Sequence, residues 1–365
     1  MHNSYAERRG DDPRTGSSDG FTIGRTMFGQ KGTVLTEAPS LDAALGLAGW
    51  DYEVEKVPAF VQTETYDDEP IYGPAKGCFV VRRTDTGAAL GHVGPRYSLV
   101  QNRKALSRIE PMFDAGLAWP EAGGTFRDGG TAWMILGFDR EKLSEATDGM
   151  PDYLWEKESL QPYGIVLLDH TGMRSDLLLQ LPYRIACLNA LPGLMRNGEG
   201  AAKIRHTGDA ATKFEREAGR LFNGMAHRYA KLADLVGLLR LQTLTEHAFH
   251  RLVQEIALPI TPQKPDESGR QVAARQRQIE RRVVVREMWT AGAGHSGDRS
   301  AWEAMNGLIE AQDHNPLFNR REVGLASQID GSRMASKRRV FQALTRYGRD
   351  ERFRDAIDDG TINLN

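Results

Sequence analysis

The sequence predicts an α+β protein, with an antiparallel sheet core in its first two-thirds and helices toward its end. Three observations carry that prediction. Short β-rich runs joined by turn residues follow one another from Tyr52 to Asp139. Two long apolar runs, YGIVLLDH and DLLLQLPYRIACLN, are separated by a stretch holding Thr171-Gly172 and suit strands buried in a sheet. From Ala210 onward, strand signals give way to helical periodicity. Strands grouped ahead of helices favour α+β over a doubly wound α/β arrangement, which alternates the two.

The opening MHNSYAERRGDDPRTGSSDG is polar and lacks the apolar core of a signal peptide, so residues 1–24 read as a disordered tail. Ser40 caps a short helix carrying Leu41, Ala44, Leu45 and Leu47 that ends near Gly49-Trp50. YEVEKVPAFV reads as a strand. CFVVRRTD and AALGHVG form a hairpin, with Asp85-Thr86-Gly87 supplying the turn. Leu106, Ile109, Met112 and Phe113 share one face of a predicted helix. A second hairpin, TFRDGGTAWMILGFD, turns at Asp128-Gly129. After the paired apolar strands the chain leaves through KIRHTG. Phe214, Leu221, Met225, Tyr229, Leu232, Leu235 and Leu239 then trace a long amphipathic helical pattern, and Leu244 to Leu258 traces another. Pro259, Pro262 and Pro265 end helical structure there. The expected organisation is a core domain over 25–258, a linker with a basic segment over 259–300, and a helical region over 301–365. That last region holds helices at Trp302–Ile309 and Met334–Tyr347.

With 365 residues, 40% of them hydrophobic, the chain can bury a substantial core. The net charge of −2 supplies no global field toward nucleic acid, so any such binding must come from local patches. Two cysteines, Cys78 and Cys187, point to reduced thiols in a cytoplasmic protein rather than a disulfide framework. No apolar run approaches the ~20 residues of a membrane helix.

Catalytic motifs are thin. Gly292-x-Gly294-x-x-Gly297 follows an Arg-rich helical pattern rather than a buried strand, so it reads as a loop and not as a dinucleotide fingerprint. There is no P-loop, HExxH or CxxC, and the histidines are scattered. His170-Thr171-Gly172 and His206-Thr207-Gly208 are read as two turn-forming tripeptides. Asp169 and Asp176 could pair across a hairpin, although carboxylates beside turns more often cap them. No cofactor, metal ligand or catalytic residue is assigned.

The basic clusters are more informative. Arg270, Arg275, Arg277, Arg281, Arg282 and Arg286 crowd one segment; Lys337, Arg338, Arg339, Arg346 and Arg349 crowd another; Lys203, Arg205 and His206 form a third. Charge that tracks phosphates, interleaved with aromatic faces that stack on bases, is what single-strand binding requires. Tyr97, Trp133, Tyr183 and Trp289 are the candidate aromatics, each with core packing as the plainer alternative.

The segment LGHVGPRYSLVQNRKAL resembles a signature of DUF932, a phage- and plasmid-like family of unknown function. LDAALGLAGWDYEVEKVPAF, GIVLLDHTGMRSDLLLQLPYRIACLNAL, KIRHTG, AWEAMNGLIEAQDH and GSRMASKRRVFQAL are similar to other parts of it. The chain departs from that pattern at Leu-Asp-His-Thr-Gly and at Cys187-Leu188-Asn189-Ala190. The resemblance implies a mobile-element protein in a bacterial cytoplasm and implies no reaction.

The resulting expectation is a non-enzymatic protein that binds single-stranded DNA and promotes annealing, as a homo-oligomer away from membranes. Its expected contacts are Arg96, Tyr97, Arg174, Arg184, Lys203, Arg205, His206, Arg277, Arg281 and Arg282. Two alternatives are a metal-dependent enzyme acting on nucleic acid or nucleotide through Asp169, His170 and Asp176, and a module that targets host proteins.

Overall fold

The computed structural model describes residues 20–23, 32–107, 109–145, 160–184, 189–190, 200–292, 297–318 and 332–361. The chain divides into two compact units. The first comprises residues 1–143, 163–180 and 198–225; the second comprises 144–162, 181–197 and 226–365. The fold is mixed α+β, with antiparallel sheets and a helical C-terminal region.

The elements of the first unit begin with β1 (Gly20–Ile23), β2 (Thr33–Leu35), α1 (Leu41–Leu47), β3 (Val54–Tyr66), β4 (Glu69–Arg83) and β5 (Ala89–Val93). They continue with α2 (Asn102–Leu106), α3 (Glu110–Asp114), β6 (Ala118–Phe126), β7 (Thr131–Phe138), α4 (Arg140–Glu145), β8 (Leu160–Asp169) and β9 (Asp176–Arg184). After β10 (Asn189–Ala190), which pairs with the end of β9 in the second unit, come β11 (Ala201–Ile204) and α5 (Ala210–Asn223). The large sheet of the first unit runs β11-β9-β8-β7-β6-β1-β2. β11 with β9, β8 with β7, β7 with β6 and β6 with β1 pair antiparallel, and β1 with β2 is parallel. Every residue of β7 is buried, as the unbroken apolar run AWMIL suggests for a central strand. Trp133 is part of that core and is not a surface platform. Phe222 of α5 stacks on Phe138 at 5.5 Å and closes one side of the sheet.

The predicted helix through Leu106 and Phe113 is in fact two short helices, α2 and α3. Pro111 lies in the first turn of α3, where its missing N–H costs nothing; in a continuous helix its ring would clash with the preceding turn. A three-stranded sheet, β3-β4-β5, has its own small core of Tyr52, Val54, Val81 and Val93. The predicted β4–β5 hairpin is present, but β4 begins well upstream and pairs chiefly with β3. That longer hairpin turns at Asp67-Asp68, both at positive φ (48° and 63°), as a type I′ turn requires.

The second unit is largely helical. It contains α6 (Met225–Arg240), α7 (Glu246–Phe249, continuing as a π-helical turn His250–Glu255), α8 (Gly269–Ala291), α9 (Ala301–His314), α10 (Ser332–Arg349) and α11 (Glu351–Asp358). Ser268 and Gln271 form a capping box that starts α8. Trp289 of α8 stacks on Phe249 at 4.1 Å and is fully buried, so it too belongs to a core. Lys337 is almost wholly buried and is neutralised by both oxygens of Asp313, at 2.6 and 2.7 Å.

Candidate nucleic-acid interface

The two His-Thr-Gly tripeptides fold as turns and meet over a shared polar knot. Gly172 (φ 76°) and Gly208 (φ 66°) take the left-handed conformation that admits glycine without strain, and each turn sends its histidine inward. Asp169 ends β8 and Asp176 starts β9; both are fully buried. Asp169 Oδ1 accepts the backbone N–H of Thr171 at 2.8 Å and also the Thr171 hydroxyl, which fixes the turn. Asp176 Oδ1 accepts the Asp169 N–H at 2.9 Å and lies 3.0 Å from His206 Nε2. The latter is an ion-pair distance, although the ring N–H is out of line for a good hydrogen bond. Both carboxylates thus act as turn caps, Asp169 on Thr171 and Asp176 on the Asp169 backbone N–H.

The stretch RYSLVQN supplies the other side of the knot. Tyr97 stacks on His206 at 4.5 Å, and its hydroxyl donates to the Asp169 carbonyl at 3.0 Å. Ser98 N–H donates to the His206 carbonyl at 2.9 Å, and His206 Nδ1 lies 3.1 Å from the Ser98 carbonyl. Gln101 holds both the N–H and the carbonyl of Val54, at 3.0 and 2.7 Å. Asn102 donates to the carbonyls of Trp50 and Tyr52, and its oxygen lies 2.8 Å from His170 Nε2. The oxygen can only accept, so His170 carries its proton on Nε2. Family-like residues thus fasten the small sheet to the β8–β9 turn. Thr171 and the Gln101-Asn102 pair stood in the sequence as a turn residue and as part of the family-like segment, but the backbone groups of Trp50, Tyr52 and Val54 that Gln101 and Asn102 hold lie about fifty residues away, so those roles left no local signal.

Burial and the neighbouring His206 hold the His170 imidazole down at about 3. Burial also pushes the Asp176 carboxyl up, against the pull of His206 and of the Asp169 N–H. For His206, burial acts downward, yet Asp176, the Ser98 carbonyl and Asp169 outweigh it and leave it raised. Tyr97 is raised by burial and by the two nearby aspartates, so it stays a phenol. The sign for His170 is that of a depressed group: its stability contribution is complete above roughly pH 6.5 and is lost as pH falls toward 3. Raised His206 has the opposite sign and weakens the fold as pH rises above its ordinary range. Between pH 6.5 and 5, His170 is expected to remove about 1.6 kcal/mol, the slope rising toward about 1.4 kcal/mol per pH unit below its ordinary range. Thermal melts of wild type and His170→Gln across that window check this: the mutant's acid-side slope should be distinctly flatter.

Around the knot lies a cationic rim. Arg96, Arg174, Lys203 and Arg205 are all exposed. They belong to three segments joined by the Tyr97–Thr207 bridge and by the pairing of Ile204 with Asp176. Arg96, Arg174 and Arg205 make no salt bridge to a carboxylate among the described residues. Lys56 donates to the carbonyls of Pro95 and Tyr97, and Lys213 to that of Thr207, which adds two cations beside them. Within residues 203–213 the acid is Asp209, occupied in capping α5.

The remaining expected contacts are placed differently. His206 faces inward and cannot reach a phosphate from its pair with Asp176. Tyr97 has one ring face covered by His206, so it cannot offer both faces to bases. Arg281 donates twice to the Leu317 carbonyl, at 3.1 and 2.9 Å, and covers Phe318. Arg282 donates to the Leu258 carbonyl and lies 3.1 Å from His250 Nε2. Arg286 forms a fork with Glu246, and Arg275 pairs with Glu267. The basic helix α8 therefore spends most of these guanidinium groups on its own unit, while Arg277 is half-buried on it. The side chains of Arg184 and Tyr183, and all of Cys187, lie outside the described residues. Among the described residues no group of three His, Cys, Asp or Glu side chains is arranged to hold a metal ion. None of the described helices is long and apolar enough to cross a membrane.

A family profile described as a domain of unknown function, DUF932, matches residues 89–343, more than half of the chain. The chain belongs to the DUF932 family. The match begins at β5 and takes in the RYSLVQN segment, both His-Thr-Gly turns and helices α5 to α9. No curated protein and no solved structure matches this DUF932 chain.

Proposed function

We propose that this DUF932 protein binds single-stranded DNA through the first unit, with Arg96, Arg174, Lys203 and Arg205 capturing the phosphate backbone, as a cytoplasmic factor that promotes strand annealing. The observation that carries this reading is the rim itself. Three segments distant in sequence, joined by a strand pairing and a bridge, carry exposed cations, while Asp169 and Asp176 on the same segments are withdrawn into the interior. A positive strip over a rigid polar knot suits sequence-independent capture, in which charge supplies most of the affinity. Tyr97, half-buried, leaves part of its ring at the rim for a base to rest against.

The metal-dependent enzyme is the weaker reading, because Asp169, His170 and Asp176 are all fully buried and offer a substrate no approach. The test is binding of a labelled oligonucleotide to wild type and to Arg96→Ala/Arg174→Ala/Arg205→Ala. Surface substitutions of this kind leave stability within about 0.5 kcal/mol. Affinity at low salt should fall at least about a hundredfold, roughly a tenfold loss for each of two or more phosphate contacts. Unchanged affinity in the triple variant would refute the assignment of the rim.

A further inference from the structure

The β3–β4 hairpin extends well beyond the small sheet from which it springs. β5 pairs with β4 only from Phe79 to Arg82, so residues 60–77 form a two-stranded ribbon without a third strand among the described residues. Both faces of that ribbon are solvent-exposed and yet carry large apolar side chains: Phe60 (62% exposed), Tyr66 (70%), Tyr72 (61%), Val61 and Ile71. A cluster of exposed apolar groups of this kind, rimmed by polar residues, marks an interaction surface. Directly paired residues share a face in an antiparallel ladder, and faces alternate with period two. Glu64 pairs with Ile71 and Tyr66 with Glu69, so one face presents Tyr66 and Ile71 between two glutamates. Asp67 and Asp68 at the turn extend the negative charge to the tip. None of these four acids has a salt-bridge partner among the described residues.

The rim of the same unit carries the complementary pattern. Met173, 76% exposed, projects from the first His-Thr-Gly turn, with Arg174 next in sequence and Arg127 Nη1 3.9 Å from its sulfur. An aromatic ring flanked by acids fits a thioether flanked by arginines: the sulfur packs on the ring while the charges pair around it. The high exposure of both Tyr66 and Met173 shows that the two patterns do not satisfy each other within one chain.

We infer that the β3–β4 arm of one copy docks on the Met173–Arg127–Arg174 surface of a second copy. The contact is head-to-tail: each copy offers an arm and a receiving surface, and it propagates into a ring or a filament. Arg174 is shared with the proposed DNA site, but the docking does not depend on DNA binding, and its test uses no nucleic acid.

The experiment is sedimentation velocity of the full chain over a wide concentration range, at low and high salt. Self-association that weakens with salt is expected. The arm reversal Glu64→Lys/Glu69→Lys, placed on strand positions so that the turn is undisturbed, should weaken association roughly a hundredfold. The surface reversal Arg127→Glu/Arg174→Glu should do the same. A chain carrying both reversals should recover association, which a merely destabilised fold would not do. The arm reversal should leave oligonucleotide affinity at or above that of wild type, which separates this contact from the DNA reading. A chain monomeric at every concentration overturns the inference. So does association that ignores both reversals, or a doubly reversed chain that is folded by circular dichroism and fails to associate.

Discussion

Asp176→Ala is expected to destabilise the first unit by about 3–5 kcal/mol, the range for removing one partner of a buried charge pair. The carboxylate holds His206 and accepts the Asp169 N–H at full burial, so its loss strands both. Cavity formation adds to the penalty, because no solvent replaces the lost oxygens at such a position. Asp176→Asn keeps an acceptor for the Asp169 N–H and should cost less, about 1–3 kcal/mol, as for one disturbed buried hydrogen bond. Urea unfolding of the three proteins measures the difference directly. A midpoint for Asp176→Ala within error of wild type would mean that the polar knot does not hold the β8–β9 turn.

Gly91→Ala should be comparably severe, at about 3 kcal/mol, the upper part of the range for overpacking. A methyl group on residue 91 of β5 would overlap the carbonyl of Thr171, and the obstacle is backbone rather than a movable side-chain end. The His170 N–H is bonded to the Gly130 carbonyl at 2.8 Å, and Thr171 is fixed by Asp169, so the turn has little room to retreat. Gly46→Ala in α1 is the matched control, since a methyl there meets nothing within 4 Å. In a helix that change should be neutral or stabilising by up to about 1 kcal/mol. Thermal melts of both variants distinguish a specific clash from a general intolerance of the unit.

Both predictions concern groups that sequence reading only partly reached. The Ser40-capped helix, the β6–β7 hairpin and the apolar strands β8 and β9 were legible because period, caps and turns are local signals. Pro111 broke a helix whose apolar spacing looked continuous, a local signal given too little weight. The long arm was missed for a different reason. Gln62 to Thr65 is polar and exposed, so it lacks the alternation of a half-buried strand, and its turn uses Asp67-Asp68 rather than an Asn-Gly pair. The candidate site divides in the same way. Cations were visible as letters, and Arg174, Lys203 and Arg205 are indeed at the surface. Whether a guanidinium is spent depends on partners far along the chain: Leu258 for Arg282, Leu317 for Arg281 and Glu246 for Arg286. The inward turn of His206 likewise depends on Asp176, thirty residues earlier.

The claim that the rim tracks a phosphate backbone is tested most directly by the salt dependence of oligonucleotide affinity. Each cation that neutralises a phosphate of a single strand contributes about 0.7 to the slope of log affinity against log salt. Four contacts from Arg96, Arg174, Lys203 and Arg205 predict a slope near about −3 for wild type, falling by about 1.4 when Arg96→Ala and Arg205→Ala are combined. A slope near zero, or one that the double variant leaves unchanged, would contradict it.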